Sequence, residues 1–192
     1  MTLVAFIRHM PTVWNAEGRL QGRRDPPLDR DAIPDWRLPP ELAGFRFLSS
    51  PLLRARMTAE RLGVAPRPEP CLTEMSWGDW EGRTLPELRA SFAGTLEELE
   101  AQGLDFRAPD GESPRDVQAR VVPLLAEIAA SSVPTAAITH KGVIRAVFAL
   151  ATGWDMLGKP PHRLSWSAAH LFRLDQAGRP TVDRLNLSLE AR

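Results

Sequence analysis

Leu3-Val4-Ala5-Phe6-Ile7-Arg8-His9 opens the chain with an apolar run that passes directly into a cation and an imidazole. Apolar residues in this number between polar neighbours read as a strand buried on both faces, the kind found in a parallel sheet. Open α/β sheets bind ligands in the crevice beyond the carboxyl ends of their strands. Arg8 and His9 are therefore delivered to the place where such folds do chemistry. Pro134-Thr135-Ala136-Ala137-Ile138 repeats the pattern and runs into Thr139-His140-Lys141-Gly142. Two strands that each end in a histidine predict a site built around two imidazoles.

Working outward, Phe45–Ser49 is the next strand candidate, and Ser50-Pro51 reads as a helix start with serine as N-cap and proline at the first position. Leu52, Ala55, Ala59 and Leu62 recur at helical spacing and should face the core. Thr84-Leu85-Pro86-Glu87 has the capping-box pattern. Ser113-Pro114 opens a longer helix with Val117, Val121, Leu124, Leu125 and Ile128 on its apolar face. A further helix runs from Val143 to about Thr152, with Gly153 to end it. Residues 169–174 and 181–185 form a terminal hairpin around Ala177-Gly178. Residues 25–40, with five prolines, read as an extended connection. Alternating strands and helices predict an α/β fold with helices on both faces of a mostly parallel sheet.

At 192 residues the chain suits a single α/β domain spanning residues 1–192. Basic and acidic residues balance at 24 each, which argues against nucleic acid or an anionic membrane as partner. The lone cysteine, Cys71, has no internal partner for a disulfide and fits a reducing compartment. The first residues lack a basic region and their apolar run is broken by Arg8 and His9, so they do not read as a signal peptide. No stretch reaches the apolar length of a membrane span. A cytoplasmic, soluble protein is expected. The four histidines lack metal-ligand spacing, so neither a metal nor another cofactor is expected.

Arg8-His9, Thr12, Trp14-Asn15, Glu17-Gly18-Arg19 and Gln21-Gly22 closely resemble the opening signature of the histidine phosphatase superfamily, the phosphoglycerate mutase-like proteins. Further resemblances follow in order: Ser49 to Ala59, then Leu72-Thr73-Glu74 with Gly78-Asp79-Trp80-Glu81-Gly82, then Gly111-Glu112-Ser113, then Thr139 to Arg145. The resemblance implies a three-layer α/β/α sandwich and, from the chain's length, the short bacterial phosphatase branch. The family usually begins a long helix near residues 25–40, so this chain looks remodelled there.

The chemistry so implied is phosphoryl transfer through a phosphohistidine on His9. Arg8 and Arg54 match the family's phosphate-binding cations, and guanidinium suits phosphate oxygens through its bidentate fork. Arg56 projects from nearly the opposite side of the same helix and reads as a surface charge. His140 matches the second histidine, a donor to the transferring group, and Gly142 with the following helix start can offer amides to the same oxygens. Lys141 stands where many relatives carry glycine and is expected to point to solvent. Glu74 is the positional match to the acid that protonates the leaving oxygen, with Asp79, Glu81 and Glu112 as competitors and Glu112 better suited to holding arginines. Asn15, Gln21 and Gly22 resemble contacts to phosphate or substrate, while Trp14, Trp77 and Trp80 either wall the pocket or pack. His162 and His170 match no motif and read as structural or surface residues.

The expected activity is metal-independent hydrolysis of a small phosphate monoester. A phosphoglycerate mutase-type phosphotransferase is the enzymatic alternative, and a non-catalytic phospholigand-binding regulatory module is the alternative outside enzymes. Arg23 and Arg24 are candidates for a second anion on the substrate. A homodimer is compatible with the sequence, which contains no feature that decides it. Met10 departs from the family pattern, which has glycine there, and is expected to narrow the pocket beside the nucleophile.

Overall fold

The computed structural model describes residues 1–92 and 94–190. Its strands are β1 (Thr2–Arg8), β2 (Arg46–Ser49), β3 (Arg67–Pro68), β4 (Thr135–Thr139), β5 (Ala168–Leu174) and β6 (Pro180–Ser188). They make a single sheet in the order β3-β2-β4-β1-β5-β6. β1, β2, β3 and β4 run parallel, whereas β5 and β6 are antiparallel additions at one side. The helices are α1 (Val13–Ala16), α2 (Leu53–Arg61), α3 (Leu85–Ser91), α4 (Thr95–Glu100), α5 (Pro114–Ser131) and α6 (Lys141–Thr152).

The two-residue alternation of β1 divides the interior. Val4 and Phe6 face one side of the sheet, where they meet Val121 and Leu125 of α5 and Val143 and Val147 of α6. Ala5 and Ile7 face the other, against Ala55 and Ala59 of α2. Each face of a buried parallel strand needs its own apolar cover, which is why the chain forms three layers. The α/β/α sandwich inferred from sequence is thus the fold observed. Among the described residues no helix is long and apolar enough to cross a membrane.

Residues 25–40 are without α-helix, as their prolines predict. They still cover the second face, because Leu28 and Trp36 insert into the cluster beneath β1. Arg37 N–H bonds to Leu189 O at 2.7 Å, tying this connection to the last described residues.

Helix starts follow their capping chemistry. Thr84 and Glu87 form the expected box, and Ser113 caps α5 with Pro114 at its first position. The start of α2 differs from expectation: its N-cap is Leu52, not Ser50. Asp25 does the capping instead, its Oδ2 accepting from Leu53 N–H at 2.6 Å. The Ser50 hydroxyl lies 2.7 Å from His140 Nε2 and accepts from Leu52 N–H at 3.3 Å. Helix α6 begins two residues earlier than the apolar pattern indicated, directly after His140.

The β5–β6 turn docks on α5. Gly178 has φ +80°, and a Cβ there would lie 2.6 Å from the Ala126 backbone. Gly178→Ala combines a disfavoured backbone angle with a collision against a helix that has little freedom to retreat. We expect a loss of about 2 kcal/mol or more. That corresponds to a melting temperature roughly 4–8 °C lower by scanning calorimetry. An unchanged melting temperature would show that the turn is not held against α5.

Candidate active site

Strand register sets the site. Arg8 stands opposite Thr139 in the parallel β1–β4 pair, and pairing continues one step further through His9 N–H to Thr139 O at 2.9 Å. Ser50 N–H likewise reaches Ile138 O at 2.9 Å. Three strands therefore end level, presenting His9, Ser50 and His140 side by side. The two imidazole centroids are 5.2 Å apart, tilted by 55°.

His9 Nδ1 lies 2.7 Å from the carbonyl oxygen of Met10. A carbonyl only accepts, so Nδ1 carries the proton and Nε2 keeps its lone pair. Burial, followed by the charges of Arg8 and Arg54, holds His9 well below the usual imidazole range, although the Met10 carbonyl opposes this. His140 is also pushed well down, by burial first and then by His9 and the two arginines. Both rings are thus neutral at neutral pH.

Arg54 is fully buried beside them, and its guanidinium is fixed by carbonyls rather than by a strong ion pair. It donates to Gly22 O at 2.7 Å and Arg24 O at 2.8 Å, with Asp25 Oδ1 at 3.3 Å. The loop that supplies those carbonyls is itself anchored, because Glu81 accepts from the amides of Arg23, Arg24 and Trp77. Gly22 is required for this fit: its φ is +54°, and a Cβ would fall 2.0 Å from Glu81 Oε1. Arg56 is exposed, as its helical position predicts.

Glu74 accepts from Met75 N–H at 2.9 Å and Gly142 N–H at 3.0 Å. Burial raises its pKa, against the opposing pull of these amides and of Arg54 and Arg8. The Gly142 amide is therefore committed to Glu74 rather than free for a phosphate oxygen. A side chain at Gly142 would place its Cβ 2.4 Å from Glu74 Oε1, which explains the glycine.

A cavity of about 660 Å³ lies over these groups. Arg8, His9, Asn15, Gln21, Gly22, Arg54 and Glu74 line it, while His140 sits fully buried behind His9. Asn15 Oδ1 is occupied by Thr12 N–H at 3.0 Å and the Thr12 hydroxyl, leaving the amide NH₂ as the end available to the cavity. Among the described residues six buried side-chain polar atoms have no hydrogen-bond partner: Arg46 Nε and Trp80 Nε1 away from the cavity, and Arg8 Nε, Arg54 Nε, Gln21 Oε1 and His140 Nδ1 at or beside it. Buried polar atoms are seldom left so, and three of these six belong to residues that line one cavity.

The competing acids are placed elsewhere. Asp79 is exposed, Glu81 braces the Gly22 loop, and Glu112 pairs with Arg120 at 3.1 Å and Arg23 at 3.2 Å. Trp14 and Trp77 wall the cavity, whereas Trp80 packs with Leu88 and Leu96. His170 is a structural residue bonded to Ser165 O, and burial pushes its pKa down to about 4. Lys141 is exposed but borders the cavity, its ammonium 5.5 Å from the centre of the Trp166 ring, a contact the sequence does not reveal.

Met10 corrects an expectation. Its side chain is buried in the apolar cluster with Leu28 and Ala55, away from the cavity, and its φ is not positive. Its amide donates to Thr58 Oγ1 at 2.9 Å, and that hydroxyl donates to Arg54 O at 2.7 Å. Methionine therefore packs under the site without narrowing it. Thr58 and Asp25 were not singled out from sequence, and Ser50 was read only as a helix cap; each acts by holding a neighbour.

The profile of the histidine phosphatase superfamily (branch 1) matches residues 4–188. A 2,3-bisphosphoglycerate-dependent phosphoglycerate mutase of Methylobacterium radiotolerans is 32% identical over 134 residues, and the match spans 63% of each chain. A glucosyl-3-phosphoglycerate phosphatase of Mycobacterium tuberculosis is 30% identical over 178 residues, covering 81% of this chain and 79% of that one. A solved mycobacterial glucosyl-3-phosphoglycerate phosphatase superposes with a TM-score of 0.79 over 98% of this chain and all of its own, at 23% identity, a likeness of fold alone.

The buried imidazoles make stability depend on pH. Unfolded histidines bind protons near pH 6.5, whereas His9, His140 and His170 resist protonation when folded. The unfolded state then takes up more protons as pH falls, so stability is lost on acidification below about pH 6.5. Glu74, raised above its ordinary value, works in the opposite sense, gaining stability as pH falls through its folded pKa. Three groups outweigh one, and the melting temperature should drop from about pH 7 to about pH 5. A rise across that interval in a fluorescence melt would contradict burial of the neutral rings.

Proposed function

The chain belongs to the histidine phosphatase superfamily, and on that premise we propose that it is a histidine acid phosphatase-type hydrolase of small phosphate monoesters, working without a metal. The observation that carries this reading is the His9 Nδ1 contact to Met10 O, which leaves a neutral Nε2 facing the cavity. A neutral nucleophile needs no deprotonation before attack.

In the proposed reaction, Nε2 attacks phosphorus as the P–O ester bond breaks. Glu74, protonated at the outset, gives its proton to the departing alkoxide and the alcohol leaves. Glu74, now a carboxylate, takes a proton from water as the water oxygen attacks phosphorus. The P–N bond breaks, inorganic phosphate departs and Nε2 recovers its lone pair. Arg8 and Arg54 carry the charge on the non-bridging oxygens, with the Asn15 amide as an added donor. Gln21 and Gly22 shape the loop next to the phosphate. The Ser50 hydroxyl already accepts from Leu52, which favours donation of its own proton to His140 Nε2. His140 then carries its proton on the otherwise unpartnered Nδ1, ready for a phosphoryl oxygen.

The mutase relative favours a second reading, in which an alcohol rather than water accepts the phosphoryl group. Phosphorus NMR of the enzyme with 3-phosphoglycerate separates the two: inorganic phosphate supports hydrolysis, and 2-phosphoglycerate supports transfer.

His9→Ala should keep its fold and lose roughly 10⁴-fold or more in kcat. Acid-labile phosphate captured by the parent protein from labelled substrate should be absent in the variant. Substantial turnover by folded His9→Ala would overturn the mechanism.

Glu74→Gln retains the two amide contacts but has no proton to give. Its kcat should fall about 10²–10³-fold on an alkyl phosphate and far less on p-nitrophenyl phosphate, whose leaving group departs unaided. Equal losses on both esters would remove Glu74 as the acid.

A further inference from the structure

Glu74 sits in a stretch that no regular element holds. Residues 74–77 belong to neither helix nor strand, and they lie between the short turns Pro70–Leu72 and Gly78–Trp80. A backbone without a ladder must find partners for its polar groups elsewhere, and it opens readily when it lacks them. Here side chains supply the partners. The three carbonyls that precede Glu74 each accept from one. Leu72 O takes the Thr139 hydroxyl at 2.6 Å, while Cys71 O and Thr73 O both take the Arg120 guanidinium, the latter at 2.7 Å. Beyond Glu74, the Ser76 amide donates to Glu112 Oε2 at 2.9 Å, and Ser76 O accepts from Glu112 N–H at 2.9 Å.

The two holders are one unit. Arg120 Nε donates to Glu112 Oε1 at 3.1 Å and Nη2 to Oε2 at 3.3 Å, the paired geometry that fits a guanidinium plane to a carboxylate. Glu112 stands just before the N-cap of α5, and Arg120 lies two turns into that helix. The pair therefore brackets the acid segment from both sides and ties it to α5. Two glycines permit the close approach: a Cβ at Gly78 would lie 2.0 Å from Pro109 O, and one at Gly111 would lie 2.8 Å from Ser76 O. Arg23, a sequence candidate for a second anion, is turned to Glu112 at 3.2 Å, and neither it nor Arg24 lines the cavity.

Arg120 and Glu112 do not line the cavity either. What they determine is the point from which Glu74 reaches into it. The Glu74 carboxyl is steadied by the amides of Met75 and Gly142. The first travels with Glu74, whereas the second belongs to α6 and would be lost if the segment drifted. Proton transfer needs donor and acceptor within hydrogen-bond reach, so a drift of about 1 Å is costly. An exposed ion pair contributes little to holding anything. This one is only 20% and 17% exposed, and its guanidinium serves two carbonyls as well.

We infer that Arg120, oriented by Glu112, is the positioning residue of the proton donor, fixing the Glu74 segment against α5 so that the carboxyl meets the leaving oxygen. This rests on the reading of Glu74 as the acid of a phosphatase, and the test keeps the two apart. Arg120→Met retains a long side chain without donors. Its kcat should fall about 10–100-fold on glycerol 3-phosphate and about threefold at most on p-nitrophenyl phosphate, with KM for both little changed because Arg8 and Arg54 are untouched. Arg120→Lys reaches one carbonyl but cannot span two and a carboxylate, so it should recover part of the alkyl-ester rate. Adding Arg120→Met to Glu74→Gln should cost nothing further on the alkyl ester, since no proton donor is left to position. Should Arg120→Met fail to fold by circular dichroism, Arg120→Lys carries the test: its loss should be smaller but confined to the alkyl ester, and a parental rate would then overturn the role. Equal losses on both esters in the Arg120 variants, or losses that multiply in the double variant, would remove the positioning role and leave Glu74 as the acid. Equal losses for Glu74→Gln alone, or a parent inactive on both esters, would defeat the phosphatase reading and the positioning role with it.

Discussion

Parallel pairing of β1 with β4, in the register that sets Arg8 opposite Thr139, is the constraint on which the site depends. A slip of one residue would turn every side chain of β1 to the opposite face. Val4 and Phe6 would exchange layers with Ala5 and Ile7, and neither apolar cover would fit. Packing therefore enforces the register, and the register brings the two histidines together. The geometry of the candidate site is a by-product of burying two different faces of one strand.

Given that geometry, the electrostatics follow. Burial, and after it the guanidinium charges of Arg8 and Arg54, leave the two imidazoles no reason to take a proton. Burial pulls the Arg54 pKa down as well, against Glu74 and Asp25, but a guanidinium keeps its charge, and the Gly22 and Arg24 carbonyls accept its hydrogen bonds. Its charge is thereby fixed in place without being cancelled by a strong counterion. Glu74 is treated differently again, its carboxyl held by amides in a site too dry to favour ionisation. One small volume thus keeps a base uncharged, a cation charged and an acid slow to ionise.

Much of this was legible in the chain. The strands ending in His9 and His140, the capped helices α3 and α5 and the prolines of residues 25–40 depend on local rules, and local rules can be read from spacing. The group of residues around the cavity was legible only because whole motifs resemble a known family. What escaped were contacts between distant residues. Asp25 caps α2 from a segment 28 residues away, and no local pattern predicts a cap from outside the helix. Met10 was misjudged for the same reason: its residue type is visible, but the direction of its side chain is set by the space between β1 and α2.

The connection of residues 25–40, free of α-helix, has a further consequence. It seals one apolar face with Leu28 and Trp36, and it also supplies Asp25 to both α2 and Arg54. Segments without internal ladders open more readily than helices, drawing their protection from the surface they cover. Here an opening that exposed Trp36 to water would strain the grip on Arg54 as well. The hold of Asp25 on both α2 and Arg54 is thus anchored in a proline-rich strap rather than in a strand or helix.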